Sequence, residues 1–325
     1  MRSIELAETN IKPLKNDLVS VVVTTKNEEA NLATCLESLR LQSWPHLEIL
    51  VVDNGSTDAT PSIARRYTGL VFDKGPERSA QRNFGLLEAA QGEFAMFVDA
   101  DMVASPILVA SCVAALRADP ASVALHVGEV VLGASWWSRV RRFERDFYDG
   151  TVVDGARFFR RGALLSVGGF DASIWAGEDW DLDKRLKRLG SIRTLDRNPV
   201  ESTTSWPLEP FIQERGVAPR PLRPVLYHNE SGFRLGRYLA KKKYYAGSLD
   251  DYAAKWGRND RDVARQLSPV YRLWTVFVEG GRWRRLLRHP LLAAGMYLLR
   301  VLVGFAWITR PRKNPPIAET PSNRG

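Results

Sequence analysis

The sequence predicts an α/β protein built on a doubly wound sheet, and three observations carry that prediction. Apolar runs of strand length alternate with segments of helical period over the first hundred residues. The runs are β-branched and lack polar alternation, as in strands covered on both faces. Each run also ends in polar residues, which a parallel sheet would collect at its carboxyl edge.

The first strand is read over Leu18-Val19-Ser20-Val21-Val22-Val23-Thr24-Thr25. A helix should follow, opened by the capping and acidic residues Asn27-Glu28-Glu29 and continued by Leu32, Cys35, Leu36 and Leu39 at helical spacing. Past the breaker Trp44-Pro45, residues 47–52 form a second strand ending at Asp53-Asn54-Gly55-Ser56, and Ser56-Thr57-Asp58 opens a second helix through Ile63 and Ala64. A short strand at Leu70-Val71-Phe72 leads past Gly75-Pro76 to a helix carrying residues 79–85. Then comes the stretch that organises the chain, residues 92–101, an apolar run ending in Asp99-Ala100-Asp101. Side chains alternate along a strand, so Asp99 and Asp101 can project from one side of the sheet edge.

Residues 106–116 read as an amphipathic helix, followed by strands at 123–128 and 130–132. Residues 136–143 mix aromatic with basic side chains, which suits an interfacial helix or one with a solvated basic face. Gly168-Gly169-Phe170-Asp171 is a tight turn, and Gly177-Glu178-Asp179-Trp180-Asp181 begins a helix expected to face Leu182, Leu186 and Leu189 to the core. Frequent prolines and lost periodicity predict a long mobile loop over 201–224. A strand over 224–227 ends at His228, and residues 238–256 read as a basic, aromatic helix.

Composition fits a globular protein, with 45% hydrophobic and 26% charged residues among 325. Cys35 and Cys112 sit in apolar settings and read as reduced core residues, which fits a cytoplasmic compartment and excludes a disulfide framework or a cysteine-ligated metal. Residues 1–17 hold no apolar run and are read as an N-terminal extension, not a signal peptide. A catalytic domain is expected over 18–235 and a basic helical region over 236–325. The formal charge of +9 lies wholly beyond residue 257, where 13 Lys and Arg face 4 Asp and Glu. Such a tail suits an anionic partner.

In a doubly wound sheet Thr24, Thr25, Asp53, Asn54, Asp99 and Asp101 would gather beyond the carboxyl ends of the strands. A turn or helix cap explains any one of these clusters, but not three placed alike. A hard divalent ion takes oxygen ligands of this kind, and a diphosphate takes the ion.

The order of the motifs resembles the family 2 inverting glycosyltransferases, which have the GT-A fold. The matching pieces are Ser20 to Glu28, Val51 to Asp58, Arg82-Asn83-Phe84-Gly85, Asp99-Ala100-Asp101, Gly168 to Asp171 and Glu178 to Leu182, together covering roughly residues 18–250. The resemblance implies a GT-A, Rossmann-like mixed sheet and a metal-dependent transfer of a sugar from a nucleotide-sugar donor to a hydroxyl or phosphate acceptor (EC 2.4, hexosyltransferase type). It implies that Thr24, Thr25, Glu28, Asp53 and Asn54 line the base and ribose site and that Arg82 approaches the nucleotide. Asp99 would touch ribose or metal, Asp101 would ligate Mg2+ or Mn2+, and His228 would be a further ligand. Asp179 would be the catalytic base, with Glu178 orienting the acceptor or raising the pKa of the base. Asn54, where the family often has Asp, and Thr24-Thr25-Lys26, where it often has Pro-Thr-Tyr, leave the nucleobase open.

Residues 290–309 are almost wholly apolar, with Arg300 near the middle and basic residues on both sides: Arg282, Arg284, Arg285 and Arg288 before, Arg310, Arg312 and Lys313 after. The length is borderline for a span and a central Arg costs a few kcal/mol on insertion scales. A helix lying in the cytoplasmic interface, with Trp283 and Trp307 as anchors, fits better than a crossing one, and a helix docked on the catalytic domain is the third reading. A peripheral or monotopic protein on an anionic membrane surface would meet a lipid-linked acceptor or a cell-envelope glycan. A nicotinamide dehydrogenase is excluded because Thr24-Thr25-Lys26-Asn27-Glu28-Glu29 stands where Gly-x-Gly-x-x-Gly is needed. The remaining rival is a membrane-tethered nucleotide-sugar-binding protein without turnover. Net charge alone suggests nucleic acid, which is not an expected partner.

Overall fold

The aliphatic runs take the centre of the sheet because they offer water no polar face. β1 (Val19–Thr25) is buried at every position. It pairs in parallel with β2 (Leu47–Asp53) on one side and β4 (Phe94–Asp99) on the other, and β2 pairs in parallel with β3 (Val71–Asp73). The computed structural model describes residues 17–201, 205–245 and 248–309. β6 (Ser122–His126), β8 (Ala156–Arg160) and β9 (Ser191–Thr194) complete a seven-stranded sheet in the order β3-β2-β1-β4-β8-β6-β9. β8 runs antiparallel to both β4 and β6, so the sheet is mixed.

Alternation along β1 divides the core between two faces. Val19, Val21 and Val23 pack with Leu32, Cys35, Leu36 and Leu39 of α1 (Leu32–Arg40), Ile63 of α2 (Thr60–Tyr67), and Val109 and Cys112 of α4 (Leu108–Ala118). Val22 packs on the other side with Leu86, which follows α3 (Arg78–Asn83) in a wider π-type turn, Leu164 of α6 (Arg161–Ser166), and Leu182 and Leu186 of α7 (Glu178–Leu186). Both cysteines are buried and unbridged. Leu189 departs from the expectation: α7 ends at Leu186, and Leu189 lies beyond it, exposed.

A second sheet orders β5 (Met102–Ala104), β10 (Leu226–Asn229) and β7 (Glu129–Leu132), with β10 central. Its register sets His228 opposite Met102, and the Asn229 amide donates to the Asp101 carbonyl at 2.9 Å. The strand after the acidic pair is thereby locked to the strand carrying His228.

The mobile loop expected over 201–224 is corrected by a small core. Trp206, Ile212 of α8 (Glu209–Glu214) and Leu222 are buried with Val103, Leu132 and Tyr227, and residues 202–204 lie outside the described residues. The apolar residues there are too widely spaced to show a period, yet they fill one gap. The single helix expected over 238–256 is instead α9 (Leu235–Tyr245) and α10 (Leu249–Trp256), and the expected domain boundary falls at the start of α9.

The C-terminal helices share a core with α5 (Trp136–Arg145). Val140, Phe143 and Phe147 pack on Phe277 of α12 (Val276–Val278) and on Ala293, Met296 and Leu299 of α14 (Pro290–Ile308). α11 (Arg261–Leu267) packs through Val263 against Tyr252, and α13 (Trp283–Arg288) leads into α14. α14 alone among the described residues is long and apolar enough to cross a membrane. Arg300, unfavourable in a bilayer, is buried here and ion-paired with the buried Glu144 of α5. The extension up to residue 16 and the basic residues Arg310, Arg312 and Lys313 lie outside the described residues.

Candidate active site

Parallel pairing brings the polar strand ends together. Thr24 lies between Val52 and Asp99, and Thr25 lies beside Asp53. Thr24 Oγ1 donates to Asp99 Oδ1 at 3.5 Å, and the Thr25 hydroxyl is buried without a partner. Asp53 shapes its own turn, with Oδ2 accepting from the Ser56 amide at 2.7 Å and Oδ1 from the Ser56 hydroxyl at 2.5 Å. Asn54 Nδ2 donates to the Pro76 carbonyl at 2.9 Å. Glu28 accepts from Asn31 Nδ2 at 2.8 Å, and burial raises its pKa.

Arg82 holds the centre from beneath. Its side chain is 2% exposed and its guanidinium lies 3.2 Å from Asp99, 3.6 Å from Glu178 and 3.4 Å from Asp179. Phe97 and Phe170 lie under its charge at 4.2 and 5.2 Å. Asn83, the next residue in the motif, clamps the turn that supplies Phe170: its side chain donates to the Phe170 carbonyl at 2.8 Å and accepts from the Phe170 amide at 2.7 Å. The Arg-Asn pair and the Gly-Gly-Phe-Asp turn are thus one device. Arg157, which no local motif marks, lies 3.5 Å from Asp99 and 2.6 Å from Glu129. Burial opposes ionisation of Asp99, but Arg82 and Arg157 hold its carboxyl well below the usual range.

The Glu178-Asp179 pair opens α7. Gly177, at φ +85°, turns the chain into the helix, and a Cβ there would stand 3.3 Å from both Trp180 and Tyr252. Gly155 passes so close that an added Cβ would lie 2.7 Å from the Asp179 Cβ. Further along α7 the acids are structural. Asp183 meets His126 at 2.6 Å, and Asp181 is bonded by Arg185 and by Trp256 at 2.8 Å. They moor the helix, so its first turn presents Glu178 and Asp179 in fixed places. Glu178 is pushed up to about 7, first by burial and then by the charge of Asp179, against the pull of Arg78 and Arg82. Asp179 keeps 36% of its side chain exposed.

Asp101 Oδ2 lies 3.1 Å from His228 Nε2, while Asp101 Oδ1 is buried with no partner. Burial works against charge on His228, but Asp101 outweighs it and pushes the imidazole up to about 9. Among the described residues no group of three His, Cys, Asp or Glu side chains forms a metal cage. The orphaned carboxylate oxygen suits an ion that takes one or two protein ligands and completes its shell with phosphate and water, as Mg2+ commonly does.

Asp101, Glu178, Asp179 and His228 line one cavity of about 680 Å³. Thr24, Thr25, Asp53 and Asn54 stand at the neighbouring strand ends and do not line it. The sequence reading missed most of its other walls: Arg78, which pairs with Glu178 at 3.2 Å, Trp175, and Arg141 and Arg272 from distant helical segments. Their separation in sequence, from 78 to 272, left no local pattern to read.

A mixed sheet with helices on both faces, whose carboxyl edge gathers acids beside an open cavity, defines an α/β protein of GT-A-like fold. Residues 20–171, just under half of the chain, match the model described as glycosyl transferase family 2. It is 39% identical over 94 residues to the putative glycosyltransferase EpsH of Bacillus subtilis, a match covering 27% of each chain. It is 25% identical over 177 residues to the PGL/p-HBAD biosynthesis glycosyltransferase of Mycobacterium bovis BCG, covering 52% of this chain and 69% of that one. The chain thus spans about a quarter of the first of these relatives. Among solved structures, the mannosyltransferase PcManGT of Pyrobaculum calidifontis in complex with GDP-Man and Mn2+ superposes with a TM-score of 0.51 at 22% identity, covering 89% of this chain and 73% of that one.

Proposed function

We propose that the protein is a metal-dependent inverting glycosyltransferase that moves a sugar from a nucleotide-sugar donor to a hydroxyl or phosphate acceptor at the cytoplasmic face of a membrane. The observation that carries the reading is the shared cavity, with the orphaned Asp101 oxygen and the Glu178-Asp179 pair on its walls.

Thr24, Thr25, Glu28, Asp53, Asn54 and Asp99, which stand outside the cavity lining at and just past the neighbouring strand ends, would contact the base and ribose. Asp101 and His228 hold Mg2+ or Mn2+, which when bound supplies a Lewis acid for the leaving diphosphate. Asp179 takes the proton from the acceptor as its oxygen attacks the anomeric carbon opposite the leaving group, a single displacement that inverts configuration. Glu178, whose carboxyl is raised to about 7, carries less negative charge beside Asp179 than an ordinary glutamate and orients the acceptor. Arg82 fixes the distance between Asp99 and Asp179.

Membrane attachment is read from the outer face of the C-terminal helices. Leu291, Leu298, Val301, Phe305 and Ile308 recur at helical spacing along α14 and are exposed, Leu287 and Trp283 of α13 are exposed as well, and Arg284 and Arg288 add positive charge. Apolar and aromatic residues bordered by arginines suit an anionic interface. Because Arg300 is tied to Glu144, the helix is read as lying on the membrane.

The test is a panel of UDP-, GDP- and dTDP-sugars scored for Mn2+-dependent thermal stabilisation, followed by release of nucleoside diphosphate with the best donor. Stabilisation that needs the cation, with turnover, supports transfer. Stabilisation without release under any acceptor condition supports the tethered binding protein.

A further inference from the structure

Opposite charges share the cavity. Its lining includes the acids Asp101, Glu178 and Asp179. It also includes Arg234, just before α9, with Arg237, Lys241 and Lys242 of α9, and Arg272. None of these five cations makes an ion pair with a carboxylate among the described residues; Lys242 stands over the Tyr238 ring at 5.3 Å and Arg272 over the Trp180 ring at 5.7 Å. The nearby acids are already engaged: Glu144 with Arg141 and Arg300, and Glu230 with Arg141 at 3.1 Å. Lys242 is exposed in the open concavity, with the like charges of Arg141 and Arg272 nearby. Like charges crowded into one wall destabilise the empty protein unless an anion is there to meet them.

Val303 and Trp307 of α14 line the same cavity, and α14 packs against α9. An anion bound by the α9 cations would have an apolar helix beside it, and the exposed face of that helix is the one read as meeting the membrane. The donor diphosphate is assigned to Asp101, which offers its free oxygen.

We propose that the basic residues lining the cavity, Arg234, Arg237, Lys241, Lys242 and Arg272, form a second anion site, which takes the phosphate of an alkyl phosphate acceptor whose apolar chain leaves past Val303 and Trp307. This rests on the transferase reading and narrows its acceptor to a phosphorylated lipid. The site uses ion pairing for the head and apolar contact for the tail, so a ligand carrying both binds better than either part alone.

The experiment is calorimetric binding of dodecyl phosphate below its micellar concentration, of inorganic phosphate, and of dodecyl maltoside, to the full chain and to the Lys241→Ala/Lys242→Ala and Arg272→Gln variants. Binding of UDP, GDP and dTDP with Mn2+ is measured in parallel as the control for folding and for the donor site. Dodecyl phosphate is expected to bind at least tenfold tighter than inorganic phosphate or dodecyl maltoside and to lose tenfold or more in each variant, with nucleotide affinity kept. Inorganic phosphate binding as tightly as dodecyl phosphate would overturn the lipid assignment. Dodecyl maltoside binding as tightly would overturn the phosphate site, and loss confined to the nucleotides would give these cations to the donor. Failure of the transferase reading would register separately, as no turnover with any donor while alkyl phosphate binding persists.

Discussion

At the scale of single residues, the account turns on one buried arginine and the acids it separates. Arg82, expected from its motif to approach the nucleotide, pairs with Asp99, Glu178 and Asp179 at once. The titration of Glu178 follows from that crowding. Its folded-state pKa is raised from 4.5 to about 7, so between those values the folded protein keeps a proton that the unfolded chain has lost. The contribution to stability is therefore fully present below the unfolded value and is lost as pH rises through the folded one. Urea unfolding of the wild type and Glu178→Gln from pH 4 to 8 should show the wild type losing about 3 kcal/mol relative to the variant across that window. Parallel curves would mean that Glu178 titrates normally.

At the scale of elements, α7 and α14 show what the sequence could and could not reveal. The period of Leu182 and Leu186 and the acidic first turn were legible, because amphipathic spacing and helix-dipole preferences are local. The sites where Asp181 and Asp183 bind were not legible, since Trp256 and His126 come from elsewhere in the chain. The strand ends of β1, β2 and β4 were readable for the same local reason, and the three-stranded sheet that sets His228 beside Asp101 was not, because β5, β7 and β10 are short and join only through long-range pairing. In α14 the central Arg300 read as a cost to membrane insertion, and its partner Glu144 lies far off in α5. Arg300→Leu should consequently destabilise the protein by about 3 kcal/mol in denaturant unfolding, since removing one partner leaves a buried carboxylate with one cation fewer. A variant as stable as wild type would free α14 from the domain and reopen a crossing helix.

At the scale of the whole molecule, the neutral body and basic tail have separate tasks. The body builds the sheet edge and cavity; the C-terminal helices close one side of that cavity and turn an apolar face outward. Co-sedimentation with vesicles should therefore be strong with anionic lipid, weak with neutral lipid, and reduced by added salt, because screening shortens the reach of Arg284 and Arg288. Equal binding to both vesicle types would leave apolar contact alone to explain attachment. The central claim is that one cavity joins a cation site at Asp101 to a base at Asp179, and the two can be separated. Calorimetry of the preferred donor with Mn2+, run beside turnover, compares wild type with Asp101→Asn and Asp179→Asn. The account predicts that Asp101→Asn loses cation-dependent donor binding, while Asp179→Asn binds donor as the wild type does and loses turnover by about 100- to 10,000-fold. Near-normal turnover in Asp179→Asn, or donor binding in Asp101→Asn that still responds fully to Mn2+, would contradict it.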